Sequence, residues 1–139
     1  MAYATQQDME ERYGQDALIT IADRNDDGAV DSEVVERALA DASAEIDPYL
    51  AKRTPLPLTE VPALLVRLCV DIAIYRLTAE ADGNTEERRT RYDDAIALLK
   101  SIAAGKVSLG LATPPPSVGG GVVLSGPSRL FSRDTMGRL

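Results

Sequence analysis

A chain of 139 residues, 45% of them hydrophobic, has material for a single core, and a formal charge of −7 argues against general nucleic-acid affinity, which depends on basic side chains neutralising phosphates. The sequence has no histidine, which removes the usual general base and the usual zinc set, and one cysteine, which excludes a disulfide framework within the chain and points to a reducing compartment. With no Trp, one Phe and five Tyr, the core must come from Leu, Ile, Val and Ala, a composition suited to closely packed helices.

Thr5 followed by Asp8 predicts a helix start, and Gly14 ends the short helix that carries Met9 and Tyr13. Asp16 to Ala22, with Leu18, Ile19 and Ile21, predicts a further turn or two packed on the body. After the polar loop Asp23 to Asp31, the positions Val35, Leu39, Ala42, Ile46 and Tyr49 recur at the spacing of one buried helix face, with Glu33, Glu36, Arg37, Asp41 and Glu45 opposite. Pro48 should kink or end this helix near its last turn, because it lacks the donor and clashes with the carbonyl four residues back.

Pro55 and Pro57 alternate with Leu56 and Leu58 in an extended connector whose leucines are expected to point to the core. Pro62 fits the first turn of the next helix and Gly83 its end. That helix is apolar on most sides, so it is expected to be the central one. It is not a membrane span, because Arg67, Asp71, Arg76 and Glu80 interrupt it. Thr85 with Glu86 and Glu87 caps a last helix with a stripe of Tyr92, Ile96, Leu99 and Ile102 and a stop at Gly105. The expected fold is all-α: a small bundle of four helices plus a short N-terminal helix, with an extended C-terminal tail.

The body is expected to span residues 1–112, with 12 basic against 21 acidic side chains and a net charge of −9. The tail, 113–139, carries Arg129, Arg133 and Arg138 against Asp134, so body and tail have opposite sign. Its Pro114-Pro115-Pro116 and Gly119-Gly120-Gly121 predict disorder in isolation, yet it includes Val122, Leu130, Phe131, Met136 and Leu139. Ordering such a segment costs more conformational freedom than its few apolar side chains return, so a neighbouring subunit is the expected surface for it. Arg129, Leu130, Phe131, Arg133 and Met136 are the candidate partner-binding residues. Gln6 to Arg12 is polar where a signal peptide needs an apolar stretch, so export by that route is not expected.

Asp23-Arg24-Asn25-Asp26-Asp27-Gly28-Ala29-Val30-Asp31 follows the first nine positions of an EF-hand loop, with Asp23, Asn25, Asp27 and Asp31 as candidate Ca²⁺ ligands. The twelfth position, which should supply a bidentate Glu, is Val34. The favoured reading is an Asx-rich turn with Gly28 at positive φ and Asp31 or Ser32 capping the next helix; a calcium-dependent binding module is the alternative. Cys69 lacks an activating partner, carboxylates lie on solvent faces, and Gly119 to Gly121 has neither the Lys nor the helix of a phosphate loop, so no enzyme is expected. Arg67 with Asp71 and Arg76 with Glu80 stand one turn apart and read as surface pairs or as charges facing a subunit interface.

Several segments together resemble the Mu-type phage head-tail joining proteins: Met1-Ala2-Tyr3-Ala4-Thr5, the aspartate-rich loop, Ala40 to Asp47 followed by Tyr49-Leu50, and Leu56-Pro57-Leu58. Asp71 to Leu77, Arg91-Tyr92 with Ala95-Ile96, Gly105, and Phe131 to Met136 extend the resemblance over nearly the whole chain. It implies a helical adaptor in the virion neck, made in the bacterial host cytoplasm. The adaptor would form a homo-oligomeric, dodecameric ring below the portal protein and touch tail or neck proteins, with genomic DNA passing through without specific binding. It gives no catalytic residue to carry over, and the aspartate-rich loop belongs to the shared pattern either as a turn or as a Ca²⁺ site; no other cofactor is expected.

Overall fold

The computed structural model describes residues 2–81 and 83–111. In chain order the helices are α1 (Gln6–Tyr13), α2 (Gln15–Ala22), α3 (Ser32–Ala51), α4 (Ala63–Glu80) and α5 (Glu86–Ala103), and the described residues contain no strand. Helices α3, α4 and α5 pack on one another in pairs, while α1 and α2 lie against α3 and α4. This is the expected all-α bundle of four helices with a short N-terminal one.

The helix ends follow local chemistry. Thr5 and Asp8 form a reciprocal capping box at α1. Gly14, at φ +85°, is both the last cap of α1 and the first of α2, a bend that an L side chain resists. Pro48 lies in the last turn of α3, which ends three residues further on at Ala51, as expected. Pro48 and Ala44 are both exposed, so the carbonyl that loses its donor faces water, which offsets the lost bond.

Buried Leu65, Leu68, Ile72, Ile74 and Leu77 surround α4 on nearly all sides, as expected for the central helix. Each such side chain contributes about 1.5–3 kcal/mol. Two expectations about the core need correction. In the connector, Leu58 is buried but Leu56 is turned out, at 37% exposure: residues two apart share a face only in a regularly extended segment, and the chain bends at Leu56 and Pro57. On α5 the buried line runs through Ala95, Leu99 and Ile102, with Tyr92 and Ile96 only partly covered, since Tyr92 keeps its hydroxyl in a polar contact.

The N-terminal segment is fastened to α3: the Tyr3 amide donates to Ser43 Oγ at 3.0 Å and its hydroxyl donates to Asp47. At the other end of the bundle, Arg53 donates to the carbonyls of Ala103 (3.3 Å) and Ala104 (3.0 Å), closing the C-terminus of α5 with a cation. Gly105 (φ +78°) completes that end, and a Cβ there would come within 2.7 Å of the Arg53 guanidinium carbon. Gly105→Ala is therefore expected to cost about 1–2 kcal/mol, from the left-handed backbone and from loss of the Arg53 cap, read as a lower urea midpoint at unchanged m.

Candidate functional site

The aspartate-rich loop folds as a turn organised by its first residue. Asp23 Oδ1 accepts from the Asp27 amide (3.2 Å), Oδ2 accepts from the Gly28 amide (2.8 Å), and Asp27 Oδ1 accepts from the Ala29 amide (2.9 Å). The loop closes through the Asp31 amide, which donates to the Ala22 carbonyl at 3.1 Å. Asp26 (φ +59°) and Gly28 (φ +79°) supply the two left-handed residues of the bend. Asp31 is the N-cap of α3, although its side chain makes no capping bond. The carboxylates of Asp23 and Asp27 thus face backbone donors, and the described residues include no group of three or more acidic or cysteine side chains placed to hold a metal ion.

The charged residues of α4 do not pair along their own helix. Arg76 reaches Glu45 on α3, Nη2 to Oε2 at 2.6 Å, and Glu80 pairs instead with Arg24 of the aspartate-rich loop at 3.1 Å. Asp71 accepts from the Tyr13 hydroxyl on α1 at 2.7 Å, and Arg67 makes no ion pair among the described residues. Helix propensity arguments see only neighbours three or four residues away, whereas these partners are brought by packing.

Two polar clusters result. In the first, Glu45 accepts from Arg76 and, through Oε1, from the Tyr92 hydroxyl at 2.7 Å, so one carboxylate joins α3, α4 and α5. Tyr92 stacks on Tyr75 with ring centroids 4.2 Å apart. The hydrogen bond to Glu45 and then burial push the Tyr92 hydroxyl up to about 12, and the same carboxylate holds the Arg76 guanidinium above its ordinary value.

In the second cluster, Arg91 of α5 donates to the Tyr13 hydroxyl oxygen at 3.2 Å, lies 5.6 Å from that ring's centre, and pairs with Glu87 at 2.6 Å. Burial pushes the Tyr13 hydroxyl upward, with the Arg91 contact opposing. Around it lies an open cleft of about 420 Å³ between α1, α4 and α5, lined by Arg12, Tyr13, Arg67, Asp71, Arg91 and Asp94. Neither cluster was legible in the sequence, because each joins residues more than 30 positions apart.

Cys69 is buried, with Sγ 3.5 Å from Ser43 Oγ, and burial pushes its thiol upward. A thiol held protonated in the core is a packing group. The proposed partner-binding residues Arg129, Leu130, Phe131, Arg133 and Met136 lie outside the described residues. None of the described helices is long and apolar enough to cross a membrane.

Fold and site together define a small helical-bundle protein whose polar side chains are largely spent on fastening helices to one another. A family model described as Bacteriophage Mu, Gp36 matches residues 3–124. The chain is 36% identical over 135 residues to the Mu-like prophage FluMu protein gp36 of Haemophilus influenzae, spanning 96% of this chain and 94% of that protein. It is 42% identical over 112 residues to Gene product J of Escherichia phage Mu, spanning 80% of this chain and 78% of the relative. The chain belongs to the Mu Gp36 family of bacteriophage proteins.

Proposed function

We propose that this chain is a non-catalytic structural protein of the virion neck: a head-tail adaptor that assembles as a homo-oligomeric ring between the portal and the tail of a tailed bacteriophage. Membership of the Mu Gp36 family across residues 3–124 carries the reading. Its physical support is the charge distribution. A body of net −9 arranged around a channel repels genomic DNA, which lets the DNA pass without sticking. The tail, of opposite sign, has an adjacent subunit or the portal on which to dock, with Arg129, Leu130, Phe131, Arg133 and Met136 as its anchors. A phage whose copy of this gene is disrupted should accumulate separate heads and tails by electron microscopy, and the full-length chain supplied in trans should restore joined particles. Joined, infectious particles without the chain would refute the role.

In this reading the aspartate-rich loop is a turn and needs no metal. A calcium-dependent module would require Asp23 to release the amides of Asp27 and Gly28 before either oxygen could serve an ion. Calorimetric titration with millimolar Ca²⁺ is accordingly expected to give little heat and no rise in melting temperature. A saturable heat that Asp23→Asn abolishes would establish the module instead.

A further inference from the structure

The cleft between α1, α4 and α5 gathers three guanidinium groups on a chain that is otherwise strongly acidic. Arg91 is already engaged by Glu87 and Tyr13, but Arg12 and Arg67 are exposed and form no ion pair among the described residues. Of the cleft's own carboxylates, Asp71 is occupied by the Tyr13 hydroxyl and Asp94 points from an exposed position of α5. Arg12 and Arg67 thus form no ion pair among the described residues, and three guanidinium groups against the carboxylates of Asp71 and Asp94 leave the lining net positive in a cleft large enough to admit side chains from another molecule.

The complementary feature is the aspartate-rich loop. Asp26 and Asp27 are exposed at its tip, and Asp26 makes no side-chain hydrogen bond among the described residues. Arg24 fastens the loop to the far end of α4, donating to the Leu77 carbonyl at 3.4 Å and pairing with Glu80. Arg67 and Leu77 are separated by roughly 15 Å along that helix, so the loop and the cleft of one copy occupy different ends of the body. A ring needs such an arrangement: a closed head-to-tail assembly joins two different patches of the same subunit, and copies that repel overall must attract locally.

We propose that the cleft receives the aspartate-rich loop of a second copy of this chain, with Asp26 and Asp27 entering between Arg12, Arg67 and Arg91. The inference rests on the ring assembly proposed above and names its contact surfaces. It also gives the loop a task that calcium does not share.

The test is a charge exchange in the full-length chain, followed by sedimentation velocity at low and high salt, with thermal melts as a folding control. Arg67→Glu and Asp26→Lys are each expected to weaken self-association roughly tenfold or more, and the combined Arg67→Glu/Asp26→Lys chain to recover most of it. Asp26→Asn, which tolerates the left-handed backbone, should give the intermediate loss if the lysine variant unfolds. Self-association that the single variants leave intact, or that the exchange fails to restore, overturns this contact while leaving the ring standing. A wild-type chain that stays monomeric at every concentration removes both. Duplex DNA binding that Arg67→Glu abolishes without any change in self-association would assign the cleft to nucleic acid and overturn the proposal.

Discussion

For the adaptor role proposed above, deleting residues 113–139 is expected to leave the body folded and to abolish joining. Among the described residues the buried core is assembled between Tyr3 and Ile102, with Val107, Leu109 and Leu111 covering its edge, and the truncated chain retains all of these. Its melting temperature should stay within a few degrees of the full chain, whereas loss of a single large core side chain would cost about 2–5 kcal/mol. The effect on assembly is expected to be close to all-or-none, because the deletion removes Arg129, Leu130, Phe131, Arg133 and Met136 together, and with them the one segment whose net charge is opposite to that of the acidic body. Co-sedimentation with the portal and particle counts by electron microscopy read the joining, and circular dichroism reads the fold. Undiminished joining by the truncated chain would exclude the tail as the docking element.

Local signals carried the helices. A capping box at Thr5 and Asp8, a threonine cap at Thr85, and glycines at 14 and 105 each act within a few residues, and the structure puts helix ends at all of them. The all-round apolar character of α4 announced its central place before any packing was known. Contacts across the bundle were not legible. Arg76 had Glu80 one turn away and went to Glu45, since a partly buried carboxylate facing it across the α3–α4 interface is less screened than an exposed one on the same helix. Tyr13 and Asp71 are 58 positions apart and meet only because Gly14 turns α2 away and leaves the end of α1 against α4. The cleft was likewise invisible, for its arginines are spread over three helices at no fixed spacing. Physically, periodicity records which face is buried, whereas polar pairing depends on which faces meet.

The largest expected cost of a single polar substitution falls on Glu45. Its side chain is 21% exposed and holds both Arg76, at 41% exposure, and Tyr92. Removing one partner of a buried pair costs about 3–5 kcal/mol, and an exposed pair is worth about 0–1. A half-screened pair with a second, neutral donor falls between them. Glu45→Ala is expected to lower stability by about 2 kcal/mol, and Glu45→Gln by about half as much because an acceptor is retained. A spectroscopic consequence accompanies the loss. The hydrogen bond to Glu45 is the largest cause raising Tyr92 to about 12, so in Glu45→Ala that hydroxyl should ionise nearer the ordinary tyrosine value of about 10. For an acid whose folded value is raised, the stabilisation is fully present below the unfolded value and is lost as pH climbs through the folded one. The wild-type chain should therefore lose stability between about pH 10 and pH 12 more steeply than Glu45→Ala does, and Tyr92→Phe should flatten the same window. Alkaline titration of tyrosinate absorbance, with urea melts at matched pH, reads both effects. Equal alkaline slopes in all three chains would show that Glu45 does not hold the Tyr92 proton.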